Sequence, residues 1–295
     1  MTELEHHVVA APDGTRIAVR VAGDGPPLVL LHGFPQNHRC WLPVLPRLAA
    51  RHRCILLDLR GYGESDAPRD DPRHERYSKR RMAGDVATVL DALGIARAHV
   101  AGHDRGARVA YRLALDHPDR VDRLVILEVV PTAAFWDAWD APLAMSAYHW
   151  TFLAQPAPMP ERLIGADPAG WIDWTLRSWT GDGTLGAFGT EALASYRAQA
   201  ADTARLAAMC ADYRAGWHVD RTLDEADRAS GRRIAAPMLF VWARRGFPAR
   251  TGDPAGIWRL WADDVADVAV ASGHFAPEEA PDAVGAAMMD FLAAS

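Results

Sequence analysis

The sequence predicts an α/β fold, namely a mostly parallel, doubly wound sheet into which a helical cap is inserted. Short apolar runs alternate with segments of helix length along most of the 295 residues, which is the pattern of parallel strands joined by crossover helices. The alternation stops over residues 131–235, where the pattern indicates helices and loops only. With 49% hydrophobic residues, the chain is long enough for one large domain that carries such an insertion.

The predicted sheet begins with an antiparallel hairpin. Residues 8–11 and 16–21 flank Pro12-Asp13-Gly14-Thr15, which is a turn signal between two strand patterns. The strands predicted after this hairpin lie at residues 28–31, 54–59, 99–102, 124–130, 238–242 and 265–270.

A final amphipathic helix is predicted around residues 282–292. We therefore expect a core domain of residues 1–130 and 236–295 and a cap domain of residues 131–235. The cap holds seven of the eleven tryptophans. We expect it to close over the carboxyl edge of the sheet, where doubly wound proteins bind their ligands.

Composition narrows the function classes. A net charge of −6 and a pI near 6.0 are typical of a soluble protein and disfavour nucleic-acid binding. The first six residues lack the basic and apolar regions of a signal peptide, and no apolar run approaches the roughly 18 residues of a membrane span. We therefore expect a cytoplasmic protein without a membrane partner. Cys40, Cys54 and Cys210 show no zinc spacing, which predicts reduced structural thiols and no metal.

The segment Gly102-His103-Asp104-Arg105-Gly106 lies between a predicted strand and a predicted helix. Strand, tight Gly-x-x-x-Gly turn and helix form the nucleophile elbow of the α/β-hydrolase fold, whose central residue is usually serine. Here the central residue is Asp104. A carboxylate suits displacement at saturated carbon, because the alkyl ester can be opened at the carboxylate's own carbon, whereas serine would end as an unreactive ether. The motif predicts Asp104 as a nucleophile.

A triad on this fold needs an acid and then a histidine after the nucleophile. His274 lies on a glycine-bearing loop directly after the last predicted strand, and we expect it to be the general base for ester hydrolysis. Glu128 stands in an apolar strand end, where a buried carboxylate would need a partner. We expect it to orient His274 and stabilise its cation, the alternative being a solvated glutamate. After the seventh strand, Asp253 is the first carboxylate and the next candidate.

Two further groups are predicted around the nucleophile. The turn His32-Gly33-Phe34-Pro35 follows the third strand, where this fold supplies part of its oxyanion hole, so the predicted donors are the backbone amides of Phe34 and Arg105. Arg105 and Arg108 are three residues apart and share one helix face. Their guanidinium forks would match a substrate carboxylate, although helix arginines often have no role.

Together these motifs make the chain resemble the fluoroacetate (haloacetate) dehalogenases of the α/β-hydrolase superfamily over nearly its whole length. The most specific match is Tyr148-His149-Trp150 followed by Phe152-Leu153-Ala154-Gln155-Pro156. The resemblance implies that His149, Trp150 and Tyr213 bind halide and that Trp179 is a pocket wall. Without the family, His149 and Trp150 would more often be core residues. The other matching stretches lie at residues 32–36, 58–63, 102–108 and 272–275.

The resemblance implies that the chain hydrolyses fluoroacetate to glycolate and fluoride through an ester on Asp104. It also implies a small anionic haloacid as substrate, no metal or organic cofactor, and a homodimer. Two features depart from the family. Glu128 stands where aspartate is typical of the family. Arg244-Arg245 stands where smaller residues are expected, and the sequence does not show whether these arginines line the entrance of the active site or lie on the outer surface.

Two alternatives remain open at this stage. An epoxide hydrolase would use the same Asp–His–acid machinery and would need cap tyrosines to protonate the epoxide oxygen, for which Tyr148, Tyr196 and Tyr213 are available. The paired arginines weigh against it, because an epoxide brings no carboxylate. A non-catalytic ligand receptor on the same fold is disfavoured because every catalytic position is occupied.

Overall fold

The structure is a computed structural model that describes residues 4–293, and within them it contains one eight-stranded sheet. The order across the sheet is β1-β2-β4-β3-β5-β6-β7-β8. Pairing is antiparallel from β1 to β2 and from β2 to β4, and parallel from there on. This confirms the predicted α/β-hydrolase fold with a mostly parallel sheet. The strands are β1 (Glu5–Ala10), β2 (Arg16–Ala22), β3 (Pro27–Leu31), β4 (Arg53–Leu57), β5 (Ala98–His103), β6 (Val121–Leu127), β7 (Met238–Ala243) and β8 (Val265–Val270).

Helices flank the sheet and fill the interval between β6 and β7. Before that interval they are α1 (Leu45–Ala49), α2 (Lys79–Ala92) and α3 (Arg105–Asp116). Within it they are α4 (Thr132–Asp137), α5 (Ala141–Ser146), α6 (His149–Leu153), α7 (Met159–Gly165), α8 (Pro168–Trp179), α9 (Thr190–Ala201), α10 (Thr203–Ala215) and α11 (Arg221–Ala229), with a π-helix at Gly216–Asp220. After it they are α12 (Pro254–Arg259), α13 (Ala276–Glu279) and α14 (Pro281–Ala293). Short 3₁₀ helices occupy His38–Trp41, Glu75–Tyr77, Pro118–Arg120 and Pro248–Thr251.

The cap segment, residues 131–235, shows why its sequence forms short helices. Asp140, Asp167 and Asp202 precede α5, α8 and α10, and each side chain accepts a hydrogen bond from a backbone N–H of the first turn. Aspartate is a favoured N-cap because it satisfies donors that the helix itself leaves free. Helices therefore begin again after each loop. The division of the chain at residues 131 and 235 stays a prediction.

The core lies on both faces of the sheet. The apolar residues of β3 and β5, such as Leu30 and Val100, are fully buried, as expected for parallel strands covered on both sides by helices. The predicted N-terminal hairpin is confirmed, with Val9 opposite Ile17. No helix within residues 4–293 has the length and apolar character to cross a bilayer.

The carboxyl edge of the parallel strands carries the predicted site. Phe34 follows β3, Asp104 follows β5, Glu128 follows β6 and His274 follows β8. Strand β6 ends at Leu127, three residues earlier than predicted, because Glu128 has a φ of 62° and leaves the extended conformation. The sheet therefore delivers four loops to one edge, beneath the cap segment.

Candidate active site

Asp104 occupies a sharp turn between β5 and α3. Its φ of 49° and ψ of −115° lie outside the regions that most side chains adopt, so the turn is strained. The turn is possible because the residues two positions before and after Asp104 are glycines: a Cβ at Gly102 would overlap the Gly106 carbonyl, and one at Gly106 would overlap the carbonyl of His32. The two glycines of the motif thus let strand and helix approach closely, which is the predicted elbow geometry.

The three predicted triad residues lie together. His274 is 2% exposed, and its Nε2 is 3.6 Å from Asp104 Oδ2 while its Nδ1 is 3.6 Å from Glu128 Oε2. Both distances are within ion-pair range and longer than a hydrogen bond. Catalytic hydrogen bonds are often this long before substrate binds. The structure thus brings the residues together in the geometry that the sequence predicts.

Charge couples these three buried groups. Burial alone would lower the pKa of His274, but Asp104 and Glu128 together raise it to about 9. Burial raises the pKa of Glu128 to about 7, although the nearby His274 opposes the rise. Burial would also raise the pKa of Asp104, yet His274 on one side and His103 and Arg105 on others hold it well below its usual value. The Asp104 carboxylate is therefore ionised throughout the neutral range.

The side chain of Glu128 fits because the loop after β7 makes room for it. Glu128 Oε1 accepts a hydrogen bond from the Ala243 N–H, and a Cβ at Gly246 would overlap Glu128 Oε2. The glutamate, one methylene longer than the family's aspartate, therefore uses the space of a missing side chain. Asp253, the alternative acid, is exposed and caps α12 through the Gly256 N–H, 2.8 Å away.

One of the two predicted oxyanion donors contacts the nucleophile. The Phe34 N–H donates to Asp104 Oδ1 over 2.8 Å. Gly33 permits this approach, since a Cβ there would overlap the Asp104 side chain. Arg105 is the first residue of α3, so its amide is at the helix N-terminus beside the same carboxylate. Oδ1 is thus the oxygen that would carry negative charge during ester hydrolysis.

Arg108 has a buried guanidinium group that makes fewer hydrogen bonds than it has donors for. Its Nη1 donates to Val130 O and Thr132 Oγ1, both at 3.0 Å, and its Nε has no hydrogen-bond partner. Its Cζ lies 4.5 Å from the ring centroid of Trp150. Among the residues that the structure describes, no carboxylate lies within 4 Å of its nitrogens. Asp104 and Asp224 stabilise this buried cation only through their longer-range charge, and none of the described carboxylates binds it directly, so the site favours an additional anion.

Arg105 is placed differently from what its helix position suggests. Its Nε and Nη2 donate to the Asp212 carboxylate over 3.0 and 2.7 Å, so its fork is already occupied. Lys79 binds the same carboxylate. Nη1 of Arg105 has no hydrogen-bond partner among the described residues, and the guanidinium carbon lies 4.3 Å from the centroid of the Tyr213 ring. Arg105 can therefore offer one donor and its charge, but not a bidentate contact.

The predicted halide-binding residues form one buried aromatic cluster with free donors. The ring centroids of His149 and Tyr213 are 5.6 Å apart, and those of Trp150 and Tyr213 are 6.3 Å apart. The Tyr213 hydroxyl and the His149 Nδ1 are buried without partners. Burial lowers the pKa of His149 well below its usual value, so the ring is neutral and keeps one N–H donor. Trp179 packs against His149 at 4.2 Å between centroids.

A small cavity is lined by His149 and Trp150 of this cluster, but not by Tyr213. Its volume is about 10 Å³, room for about one water-sized group. Its walls include six of the predicted site residues: Asp104, Arg108, Glu128, His149, Trp150 and His274. Trp179 lies outside it, on the wall of a neighbouring, larger cavity. The arrangement places the Arg108 cation and the Asp104 carboxylate on the wall of one cavity.

Three residues of the site escaped sequence reasoning. His103 Nε2 donates to the His274 carbonyl oxygen over 2.8 Å and so positions the catalytic loop. Phe247 packs edge-to-face against His274, with centroids 5.1 Å apart, and lines the cavity. Asp212 orders Arg105. The elbow motif contains His103 and Asp212 precedes Tyr213, which are weak signals, whereas nothing in the local sequence marks Phe247.

Comparisons with known proteins agree with the fold and divide over the substrate. The family model of the alpha/beta hydrolase fold matches residues 26–280. A fluoroacetate dehalogenase from Burkholderia sp. is 40% identical over 92% of this chain and 88% of its own length. A soluble epoxide hydrolase from Corynebacterium sp. (strain C12) is 32% identical over 99% of this chain and 98% of its own length. A solved α/β-hydrolase structure from Nostoc sp. PCC 7120 is 42% identical, with a TM-score of 0.95 over 99% of both chains.

Proposed function

The chain belongs to the α/β-hydrolase family, and on that premise we propose that it hydrolyses 2-haloacetates, fluoroacetate among them, to glycolate and halide. The observation that carries the proposal is Arg108, a guanidinium that is 2% exposed and lines the same small cavity as Asp104. Within residues 4–293 it has no carboxylate partner. Because buried charges in proteins are generally paired, the carboxylate of a haloacetate would supply the missing counter-charge.

In the first step Asp104 attacks the α-carbon of the haloacetate. Oδ1 accepts the Phe34 N–H, which leaves Oδ2 as the attacking oxygen. A bond forms between Oδ2 and the α-carbon while the carbon–halogen bond breaks, and the halide leaves with the bonding electron pair. The product is an alkyl ester of Asp104. Arg108 holds the substrate carboxylate, with the free Nη1 of Arg105 as a second donor.

Departure of the halide needs hydrogen-bond donors aimed at the leaving atom. The Tyr213 hydroxyl is buried without a partner, and Trp150 and neutral His149 provide ring N–H groups in the same cluster. Fluoride is a poor leaving group and gains most from short hydrogen bonds, so such a cluster matters most for carbon–fluorine cleavage. The cavity has room for about one water-sized group, so the walls must move apart to admit even a two-carbon acid, and further for a longer one.

In the second step water opens the ester at the Asp104 carboxyl carbon. His274 takes a proton from the water, Glu128 stabilises the resulting imidazolium, and the Phe34 N–H faces the oxyanion. Esterification has meanwhile removed the Asp104 charge that helps to raise the pKa of His274, so a larger fraction of His274 is neutral and able to accept a proton from water. The ester then releases glycolate and regenerates the Asp104 carboxylate, with one proton released to solvent.

An epoxide hydrolase remains the second candidate, because a soluble epoxide hydrolase aligns over nearly the full chain. Its chemistry would need tyrosine hydroxyls directed at the epoxide oxygen. The Tyr213 hydroxyl is free, but the Tyr196 hydroxyl donates to Glu278 over 3.1 Å. Tyr148 lines the larger outer cavity. An epoxide would also leave Arg108 without a counter-charge, so we favour the haloacid. The implied homodimer and the cytoplasmic location stay predictions.

The deciding experiment measures fluoride release from fluoroacetate beside diol formation from styrene oxide. We expect halide release and little or no diol, and the reverse result would favour the epoxide hydrolase. In His274→Ala, mass spectrometry after chloroacetate treatment should show a carboxymethyl adduct on the Asp104 peptide, because only ester hydrolysis is blocked. The matched control, His274→Ala with Asp104→Asn, should stay unmodified. Turnover by the unmutated protein without any adduct in His274→Ala would contradict the nucleophile assignment.

A further inference from the structure

A second cavity adjoins the small one on its solvent side. We name it the vestibule; its volume is about 610 Å³, and its walls include Trp179, Arg244, Arg245, Phe247, Arg250 and His274. Phe247 and His274 line both the vestibule and the small cavity that contains Asp104. The vestibule is therefore the outer part of the approach to the nucleophile.

Phe247 lies at the junction of the two cavities. Its ring centroid is 5.1 Å from that of His274, 5.3 Å from Trp179 and 5.6 Å from His149. Its side chain is only partly buried, and it forms part of the vestibule wall. A substrate coming from the vestibule would pass this ring before reaching Arg108.

The vestibule wall is positively charged. Arg244, Arg245 and Arg250 are all exposed, and no aspartate or glutamate is among the residues that line the vestibule. In the part of the chain that the structure describes, none of the three forms an ion pair. Arg245 Nη1 donates to the Gly181 carbonyl over 2.8 Å, which places this core residue against the cap segment. The chain as a whole carries a net charge of −6, so this wall is a local reversal of sign.

Two carboxylates lie nearby, in an adjoining surface recess that Arg244 and Arg245 also line. They are Asp182 and Glu279. Glu279 accepts hydrogen bonds from the backbone N–H groups of residues 181, 273 and 275, which already balance much of its charge. Arg250 does not border that recess. The vestibule therefore keeps an excess of positive charge.

We propose that Arg244, Arg245 and Arg250 form an electrostatic capture site that draws the anionic substrate into the vestibule and toward Arg108. This inference rests on the proposed function and extends it to substrate selection. A cleft with low-dielectric walls and charge of one sign focuses the field and raises the local concentration of oppositely charged ligands. Because the three arginines act before the substrate reaches Asp104, they should affect KM and leave kcat almost unchanged.

The test compares three triple variants in chloride release from chloroacetate. R244Q/R245Q/R250Q removes the three charges and keeps polar side chains, whereas R244K/R245K/R250K keeps the charges. R51Q/R81Q/R162Q removes three exposed arginines elsewhere and so changes the net charge by the same amount. At low ionic strength we expect the first variant to raise KM on the order of tenfold at nearly unchanged kcat, the low end of what focused charge contributes. The other two should stay near the unmutated protein.

Ionic strength gives a second readout. The Debye length falls from about 30 Å at 0.01 M to about 8 Å at 0.15 M, so KM of the unmutated protein should rise with a non-halide salt. In R244Q/R245Q/R250Q this dependence should be much weaker. An unchanged KM with an unchanged salt dependence in that variant, or the same loss in the remote triple, would overturn the capture site alone. No halide release by the unmutated protein would instead overturn the proposed function.

Discussion

Above its pKa of about 7 the Glu128 carboxyl is ionised, so replacing it with glutamine there removes one negative charge beside His274 and nearly preserves the shape of the side chain. The glutamine oxygen can still accept the Ala243 N–H, so the contact with the end of β7 is retained. The space at Gly246 also stays filled as before. Glu128→Gln therefore tests the charge of this residue with little change in packing, at the position where the chain departs from the family it resembles.

The expected magnitude follows from the geometry. Glu128 Oε2 lies 3.6 Å from His274 Nδ1, and both side chains are almost fully buried. An opposite charge at such a distance shifts a pKa by about 1–3 units, so the pKa of His274 should fall by that amount from about 9. Each unit corresponds to about 1.4 kcal/mol, so the imidazolium formed during ester hydrolysis loses about 1.4–4 kcal/mol of stabilisation. Ester hydrolysis should slow about 10- to 1,000-fold.

Formation of the ester should be affected far less, because Asp104 carries out that step. A rapid-quench assay with chloroacetate should thus show a burst of chloride equal to the enzyme concentration, followed by slow turnover. Mass spectrometry during turnover should find the Asp104 ester. NMR of the His274 ring should show the lowered pKa. Turnover near that of the unmutated protein, with no burst and no ester, would refute the assignment and leave Asp253 as the next acid to test.

Three further substitutions test other parts of the site. Arg108→Ala should lower kcat/KM for chloroacetate about ten- to a hundredfold, the cost of one charge-assisted contact; an equal loss on a neutral epoxide would mean that Arg108 is structural. Trp150→Phe removes one N–H donor, so fluoride release should fall more than bromide release; equal losses would mean that Trp150 only shapes the pocket. Gly246→Ala should displace Glu128 and slow ester hydrolysis, and adding the shorter side chain of Glu128→Asp should restore much of the rate. If the rate is not restored, Gly246→Ala acts on a part of the site other than Glu128.

Much of the candidate site can be predicted from the sequence alone. The elbow is contiguous, so five residues are enough to identify Asp104 and to predict its strained turn. The positions of His274 and Glu128 follow from strand alternation, because successive parallel strands deliver their loops to one edge of the sheet. The predicted end of β6 is three residues too late, because an apolar run does not show that Glu128 leaves the strand at a positive φ.

Contacts between segments that are distant in the chain cannot be predicted from local sequence patterns. Helix spacing predicts that Arg105 and Arg108 share a face, but it does not show that Asp212, 107 residues later, occupies the fork of Arg105. Likewise, Glu128 fits only because Gly246 arrives beside it from another loop. Such pairings depend on how the cap segment and the β7 loop pack on the sheet edge, which no local pattern encodes.

The sequence by itself thus determined the fold class and predicted the nucleophile and the order of the triad, since each depends on residues close together in the chain or on the period of strands and helices. Only the tertiary structure decided that Arg108 is a buried cation to which no carboxylate of residues 4–293 binds and that Arg244 and Arg245 line the vestibule. Burial and counter-charge are properties of three-dimensional surroundings. Both are set when segments more than a hundred residues apart pack together. Packing removes water from a charged group, and the same packing decides whether a group of opposite charge takes the place of that water.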